Sequence, residues 1–525
     1  MNKINKDSNS SSFLGSLSKV GGWTGISRIF GLVRDISTTS LLGASVFHDI
    51  FVITLKIPNV FRRFFAEGAF NQAFIPIYSD FQKNKDESQT LDFLNSLAGF
   101  LITFLFFFTL IVLIFAPVFI FIFAPGFYFD PVKKDLSVEV LRIMFPYLAL
   151  ISLVAFAGGI QNSHARFSLP AFTPVIFNLC LIIAALLIAP KYDMPIFALA
   201  WGVLLAGFLQ LLIQVFPLFT LNRLPRPKLN FKNNGLKKFF VLILPAIFAG
   251  GIVQINLLVD TIFASLLETG SPTWLYVSDR LIQFPMGIFA IAIGTVLLPT
   301  LSNINLMENK QKFIDSLQRA QTFVVFIGIP SLIGLFFCAE ELISTIFLRG
   351  EFTTIDVYKS SYSLMAFSLG LPFFMLMKVL TPAFFARKDT KTPMYVALLA
   401  LFSNVILNYV LAFILGYGHV GIAIGSSIAT LISVLILELI LFREGLIKIS
   451  RILSRLNIAI FIASISLMVF LKSFSNSVDF ISLPEFSRVL YLITEVAIAT
   501  FIYLLLIRLI SVSYTHLRAH ETVAN

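Results

Sequence analysis

Residues 93–123 read FLNSLAGFLITFLFFFTLIVLIFAPVFIFIF, without a charged side chain. A helix needs about 20 apolar residues to cross the hydrocarbon core of a bilayer, and this run exceeds that. It decides the fold class because the rest of the chain keeps repeating it. Thirteen more apolar runs, set between polar breaks, lie near 22–42, 46–76, 139–162, 171–190, 195–219, 239–266, 274–300, 320–347, 358–385, 393–416, 420–442, 456–472 and 488–510. Composition agrees. Hydrophobic residues make up 57%, phenylalanine occurs 59 times, and only 13% of the 525 positions are charged, against about 25% in ordinary globular chains. Too few polar residues remain to clothe a water-facing surface. The sequence predicts an all-α polytopic membrane protein with fourteen transmembrane helices and no room for a soluble domain.

Basic residues orient it. Cytoplasmic loops are enriched in Lys and Arg. The strongest such connection holds Arg223, Arg226, Lys228, Lys232, Lys237 and Lys238 without an acid. An even number of spans then puts both termini in the cytoplasm. The formal charge of +11 is read this way rather than as nucleic-acid binding. No small-residue cleavage site follows the first apolar run, so it reads as a retained helix rather than a signal peptide. Cys180 and Cys338 lie far apart in apolar surroundings and read as small buried hydrophobes.

The chain also repeats itself at an offset of about 220 residues. Arg62-Arg63 before Pro76 matches Asp279-Arg280 before Pro299. Asn162 to Arg166, followed by Pro170 and Pro174, matches Phe384 to Arg387, followed by Pro393. Asn178 corresponds loosely to Asn404 or Asn408. Two six-helix pseudo-repeats with the same in/out sense are a transporter architecture, with the substrate site near the repeat interface. Two extra C-terminal helices complete the count. The expected organisation is a cytoplasmic tail at 1–21, an N-terminal lobe of helices 1–6 at 22–222, and a basic linker at 223–238. A C-terminal lobe of helices 7–12 at 239–445 and helices 13–14 at 446–512 follow. A polar tail at 513–525, disordered or foreign, ends the chain.

Charges inside the first two runs are the most informative feature. Helix 1 reads Ser27-Arg28-Ile29-Phe30-Gly31-Leu32-Val33-Arg34-Asp35. Each charge at the bilayer centre costs about 2.5–3.5 kcal/mol, so the three facing lipid would cost roughly 8–10 kcal/mol. They are expected to face a wet cavity or one another. Asp49, Lys56 and Arg63 form a stripe on helix 2, with Arg62 beside it, Glu67 one turn beyond, and Pro58 and Gly68 as bending points. Snorkelling to the interface is the ordinary reading for Lys56, Arg63, Arg142 and Lys378. Arg28, Arg34, Arg62 and Arg280 are harder to dismiss. The planar fork of arginine suits phosphate, which points to an anionic, phosphate-bearing ligand.

These residues resemble a known family. Ser27-Arg28 through Gly31 to Arg34-Asp35, Pro58-Asn59-Val60-Phe61-Arg62-Arg63-Phe64-Phe65-Ala66-Glu67-Gly68-Ala69-Phe70, and Asp279-Arg280 with Phe284-Pro285 are similar to the MurJ (MviN) lipid II flippases. That family belongs to the multidrug/oligosaccharidyl-lipid/polysaccharide exporter superfamily. The resemblance implies a V-shaped pair of six-helix lobes, with a lipid-facing groove at helices 13 and 14, in the bacterial cytoplasmic (inner) membrane. It implies a monomer moving lipid II, an undecaprenyl-pyrophosphate glycopeptide, to the outer leaflet by alternating access, with membrane lipids as its other partners. On matching positions, Arg28, Arg34, Arg62 and Arg280 would hold the pyrophosphate. Asp35, Asp49, Glu67 and Asp279 would orient them or form gate contacts, with Ser27 and Asn59 in the same substrate-binding set. Gln283 stands where some relatives carry Glu. No cofactor is expected beyond a sodium ion. Relatives that bind sodium among helices 7, 11 and 12 imply Asp260, Asn404, Asn408 and Ser426 as its oxygen ligands, with Asn256 and Thr430 nearby. The plainer reading of these groups is interhelical hydrogen bonding.

Other functions fit less well. A membrane enzyme acting on a polyprenyl-linked glycan needs convergent acid/base groups or a metal-carboxylate cluster. No such motif occurs, and Glu340-Glu341 reads as a solvated loop face. An ATP-driven pump lacks its P-loop. A flippase for another polyprenyl-linked oligosaccharide and a cation-coupled drug exporter are the transporter alternatives, the latter expected to carry acids where this chain has arginines.

Overall fold

The computed structural model describes residues 4–65, 68–304, 306–447, 455–475 and 478–523. All regular structure among them is helical. Two compact units emerge, Met1–Gly270 and Ser271–Asn525. The first holds α1 (Ile4–Leu42), α2 (Val46–Phe65), α3 (Ala69–Asn84), α4 (Glu87–Ile114), α5 (Ala116–Phe123), α6 (Pro125–Tyr128), α7 (Pro131–Met144), α8 (Tyr147–Ser163), α9 (Ser168–Ile183), α10 (Pro195–Thr220) and α11 (Asn234–Ser265). The second holds α12 (Ser271–Pro285), α13 (Ile291–Ser302), α14 (Leu306–Phe337), α15 (Ala339–Phe347), α16 (Thr354–Phe385), α17 (Lys391–Asn408), α18 (Gly418–Arg443), α19 (Arg455–Ser475) and α20 (Glu485–Val523).

Each of the fourteen apolar runs falls on a helix or on a broken pair. Ten stretches among the described residues are long and apolar enough to cross a membrane. Four of the fourteen runs, those at 22–42, 46–76, 239–266 and 274–300, are not among the ten; in the first two, their own charges lower the hydropathy. Three outcomes differ from the sequence reading. Helix 1 begins at Ile4 and α20 runs to Val523, so parts of both expected tails are helical. Extending an existing helix adds a hydrogen bond per residue without a new nucleus. The run at 46–76 is two helices, with Gly68 at φ +53° on the far side of the break. The run at 239–266 packs, as α11, on α3 and α2 of the first unit.

The duplication is visible in the backbone, at an offset of 223 residues. Chain breaks at Phe115 (φ −94°, ψ 23°) and Cys338 (φ −99°, ψ 23°) are the same turn in both copies. Side-chain caps at Asp130 and Thr353 start α7 and α16. Positive φ at Ala165 and Lys388, and again at Asn222 and Gly445, ends equivalent helices. The amides of Arg166 and Asp389 reach back to the carbonyls of Gln161 and Phe384, closing the same kind of C-terminal turn. This register corrects the sequence alignment. Lys56, not Arg62, stands opposite Asp279, and Asn178 stands opposite Leu401 rather than Asn404 or Asn408. Local charge similarity misled the alignment, whereas caps and breaks fix it.

Aromatic side chains fill the first unit's interior. Phe70, Phe74 and Tyr78 stack along α3 at 5.5 and 5.3 Å and meet Phe93 and Phe239, all fully buried. Outward faces stay apolar too, as at Phe106, Phe107 and Ile114 on α4, which is the surface a bilayer solvates. The basic linker lies back across α4. The amide of Arg226 donates to Asn95 Oδ1 at 2.6 Å, that of Lys228 to the Asn95 carbonyl at 3.0 Å, and Asn233 Nδ2 to Asp92 Oδ2 at 2.8 Å. Gly99 permits this approach, since a Cβ there would strike the Lys228 backbone.

Candidate functional site

The charged stretch of α1 is held by α9. Arg34 Nε and Nη2 donate to Asp35 Oδ1 at 2.9 and 2.5 Å, while Arg34 Nη1 donates to Asn178 Oδ1 at 3.1 Å. Asn178 Nδ2 in turn donates to the Ser27 carbonyl at 3.0 Å. One amide thus bridges two turns of α1, and Phe177 places its ring 5.6 Å from the Arg34 guanidinium. Asp35 is buried and Arg34 nearly so, with 12% of its side chain exposed. An ionised pair survives such burial only with good geometry and further hydrogen bonds, and Asn178 supplies one. Ser27, Arg34 and Asp35 are therefore brought together. Asn178 was missing from the expected site residues. Its signal was an amide inside an otherwise apolar run, where an unpaired polar group is costly.

Other positions have distinct surroundings. Arg28 is exposed, and Asn59 and Arg62 are half-buried. Asp49 is buried and accepts from the Gly270 amide at 2.6 Å, so it anchors the start of α2 to the chain following α11. Lys56 Nζ donates to Thr261 Oγ1 at 3.3 Å, a second tie from α2 to α11. Glu67 lies outside the described residues. In the second unit, Arg280 Nη2 donates to the Tyr276 hydroxyl at 3.1 Å, with its guanidinium 5.5 Å from that ring's centre. Gln283 Nε2 donates to Asp279 Oδ2 one turn away.

Of the oxygen-bearing residues expected around sodium, Asp260 belongs to the first unit and is half-buried. Asn404, Asn408 and Ser426 belong to the second and are buried, with Ser426 Oγ 3.4 Å from Asn404 Oδ1. Among the described residues no group of three His, Cys, Asp or Glu side chains is arranged to hold a metal ion.

Ten long apolar helices in a duplicated all-helical fold define a multi-pass membrane protein. An inward-facing multidrug MATE transporter of the MOP superfamily aligns with TM-score 0.64 at 11% identity, covering 80% of this chain and 94% of that one; this likeness concerns the fold alone. A solved lipid II flippase MurJ in an inward closed conformation aligns with TM-score 0.78 at 28% identity, covering 95% and 99%. The profile of the lipid II flippase MurJ family matches residues 38–488. A probable lipid II flippase MurJ from Vibrio cholerae serotype O1 is 39% identical over 439 residues, 82% of this chain and 83% of that one. Its counterpart from Haemophilus influenzae is 35% identical over 506 residues, 94% and 99%. The chain belongs to the lipid II flippase MurJ family. It is a multi-pass membrane transporter, not an enzyme.

Proposed function

We propose that this chain flips lipid II from the cytoplasmic to the outer leaflet by alternating access, as a monomer with both termini in the cytoplasm. The observation that carries this reading is the family match over residues 38–488. Charge chemistry supports the detail. Arg28, Arg34, Arg62 and Arg280 hold the pyrophosphate, because a guanidinium offers paired donors to phosphate oxygens. Asp35 is the resting counter-charge of Arg34 and gives it up when phosphate arrives. Depleting the protein in its host should make lipid II accumulate on the cytoplasmic side, and an outer-leaflet pool that stayed constant would overturn the reading.

A second proposal concerns sodium. The carboxylate and amide oxygens of Asp260, Asn404 and Asn408, with the Ser426 hydroxyl, are hard donors that suit a hard cation. The two fully buried asparagines, one turn apart on α17, favour it. Sodium should raise the melting temperature of the purified protein, and Asp260→Asn should abolish that increment. A wild type whose melting ignored sodium would remove the site.

A further inference from the structure

The helices added after the duplication meet the second repeat at a buried polar junction that the sequence reading took for a solvated face. Glu341, on α15, is only 3% exposed. The correction has a clear cause, because α20 packs over α15 and shields it. Opposite, on α20, Glu495 is fully buried. The Cys338 thiol donates to Glu495 Oε1 at 3.6 Å, while Oε2 is buried without a hydrogen-bond partner. Apolar packing surrounds the junction, including Ile333, Leu467, Ala499 and Tyr503.

The duplication shows that this polarity is an addition. At the 223-residue offset Cys338 corresponds to Phe115 and Glu341 to Val118. Both of those side chains are apolar and about half exposed, at 53% and 49%. The same turn of the same fold therefore carries ordinary lipid-facing residues in one copy and a thiol and a carboxyl in the other, where α20 arrives with its own carboxyl. Packing alone would have been served by apolar residues in both copies.

Charge balance then constrains the chemistry. An ionised carboxylate in such a place costs several kcal/mol unless a cation or several donors compensate it. The Glu341 carboxyl acts on Glu495 with the wrong sign for compensation. The basic groups nearby are engaged elsewhere. Arg349 pairs with Glu485 at 2.6 Å, and Arg488 donates to the Ser344 carbonyl at 2.9 Å. Arg488 also lies two helical turns, about 10 Å, from Glu495 along α20. The titratable neighbours Glu340, Asp479 and Tyr503 are not cations: the first two are acids, and the Tyr503 hydroxyl donates to the Phe326 carbonyl at 2.7 Å.

We propose that Glu495 is a proton-binding site, holding its proton on Oε2 at neutral pH, and that this neutral acid lets α20 dock against α15. The proton comes from water at the end of the bundle where Glu340 and Asp479 lie. It returns there when the pH is raised, leaving two carboxylates facing one another and loosening the junction.

Infrared spectroscopy of the full-length protein in nanodiscs tests this. The wild type at neutral pH should show the carbonyl band of a protonated, buried carboxylic acid, and Glu495→Gln should lack it while keeping transport. Absence of the band in wild type, or its persistence in Glu495→Gln, would overturn the proposal. If Glu495→Gln fails to insert, Glu341→Gln decides the matter. Removing the like charge should let the band disappear at a pH lower by about one unit, a tenfold change in proton affinity. A band that titrates unchanged in Glu341→Gln would equally refute the shared junction.

Discussion

The two repeats keep the same punctuation and differ in charge. Helix ends at Leu42 and Ser265, breaks at Phe115 and Cys338, and helix starts at Pro195 and Gly418 recur at one spacing. Yet where α1 carries Arg28, Arg34 and Asp35, α11 carries Gly251, Leu257 and Leu258 at the corresponding positions. Opposite Arg62 and Arg63 stand Pro285 and Met286. Backbone landmarks follow local sequence, namely caps, prolines and positive-φ residues, so a fold can be copied without its charges. The cations of α1 and α2 are therefore not required by the architecture. They cost insertion energy, which the duplicated backbone does without at the matching positions of α11 and α12.

The largest effect should come from breaking the buried pair. Arg34→Ala removes the guanidinium that pairs with buried Asp35 and should destabilise the protein by about 3–5 kcal/mol, with transport lost. Adding Asp35→Asn should recover much of the stability, but not transport, because the cation is still missing. Unfolding measurements and a flipping assay separate the two. Moving the charge provides the sharper test of asymmetry. Leu257→Arg at the equivalent site of α11 should not rescue Arg34→Ala. Rescue would show that either repeat can host the cation and that the two do not differ in this respect.

Asn178 should matter less. Asn178→Leu removes the acceptor for Arg34 Nη1 and the donor to the Ser27 carbonyl, which is expected to cost about 1–3 kcal/mol. Leu401→Asn, at the corresponding position of α17, should bring no matching gain. Equal and opposite changes in melting temperature would mean that the amide serves helix packing in both copies and has no special tie to Arg34.

Much of the fold could be read from hydrophobic runs. The run at 195–219 is α10, Pro195–Thr220, and 420–442 lies within α18, Gly418–Arg443. The breaks were harder, since Phe115 and Phe145 sit inside unbroken apolar sequence. Their only signals are Pro117 and Pro146 just beyond, and proline within an apolar run serves for kinks as often as for ends. Site residues were partly legible for a related reason. A charge inside a span announces itself, so Arg34 and Asp35 stood out, whereas an amide such as Asn178 blends with the polar groups that merely join helices. Glu341 failed in the opposite direction. A pair of acids at a helix start looks solvated until a helix more than a hundred residues later, α20, is known to cover it.

The smallest effect should be at the turn where the repeats exchange a carboxylate for a cation. In the second repeat Asp389 Oδ1 accepts from the Thr392 amide at 3.0 Å, in the first turn of α17. That donated amide hydrogen bond holds the Asp389 carboxyl below its usual range. The corresponding residue of the first repeat is Arg166, which donates instead to Thr220 Oγ1 at 2.7 Å, and no side chain caps α9. Because the folded-state value is depressed, the contribution of Asp389 is complete above the ordinary Asp range and disappears as pH falls through the lowered value. The group is partly exposed, so Asp389→Ala should cost only about 0.5 kcal/mol at neutral pH. The difference from wild type should close on strong acidification. Arg166→Asp should give α9 the cap that α17 has and leave a gain of similar size, less the lost bond to Thr220. Melting curves of the two variants across acidic and neutral pH check both signs. A difference between Asp389→Ala and wild type that grew on acidification would show that the carboxylate does not stabilise α17 through its charge.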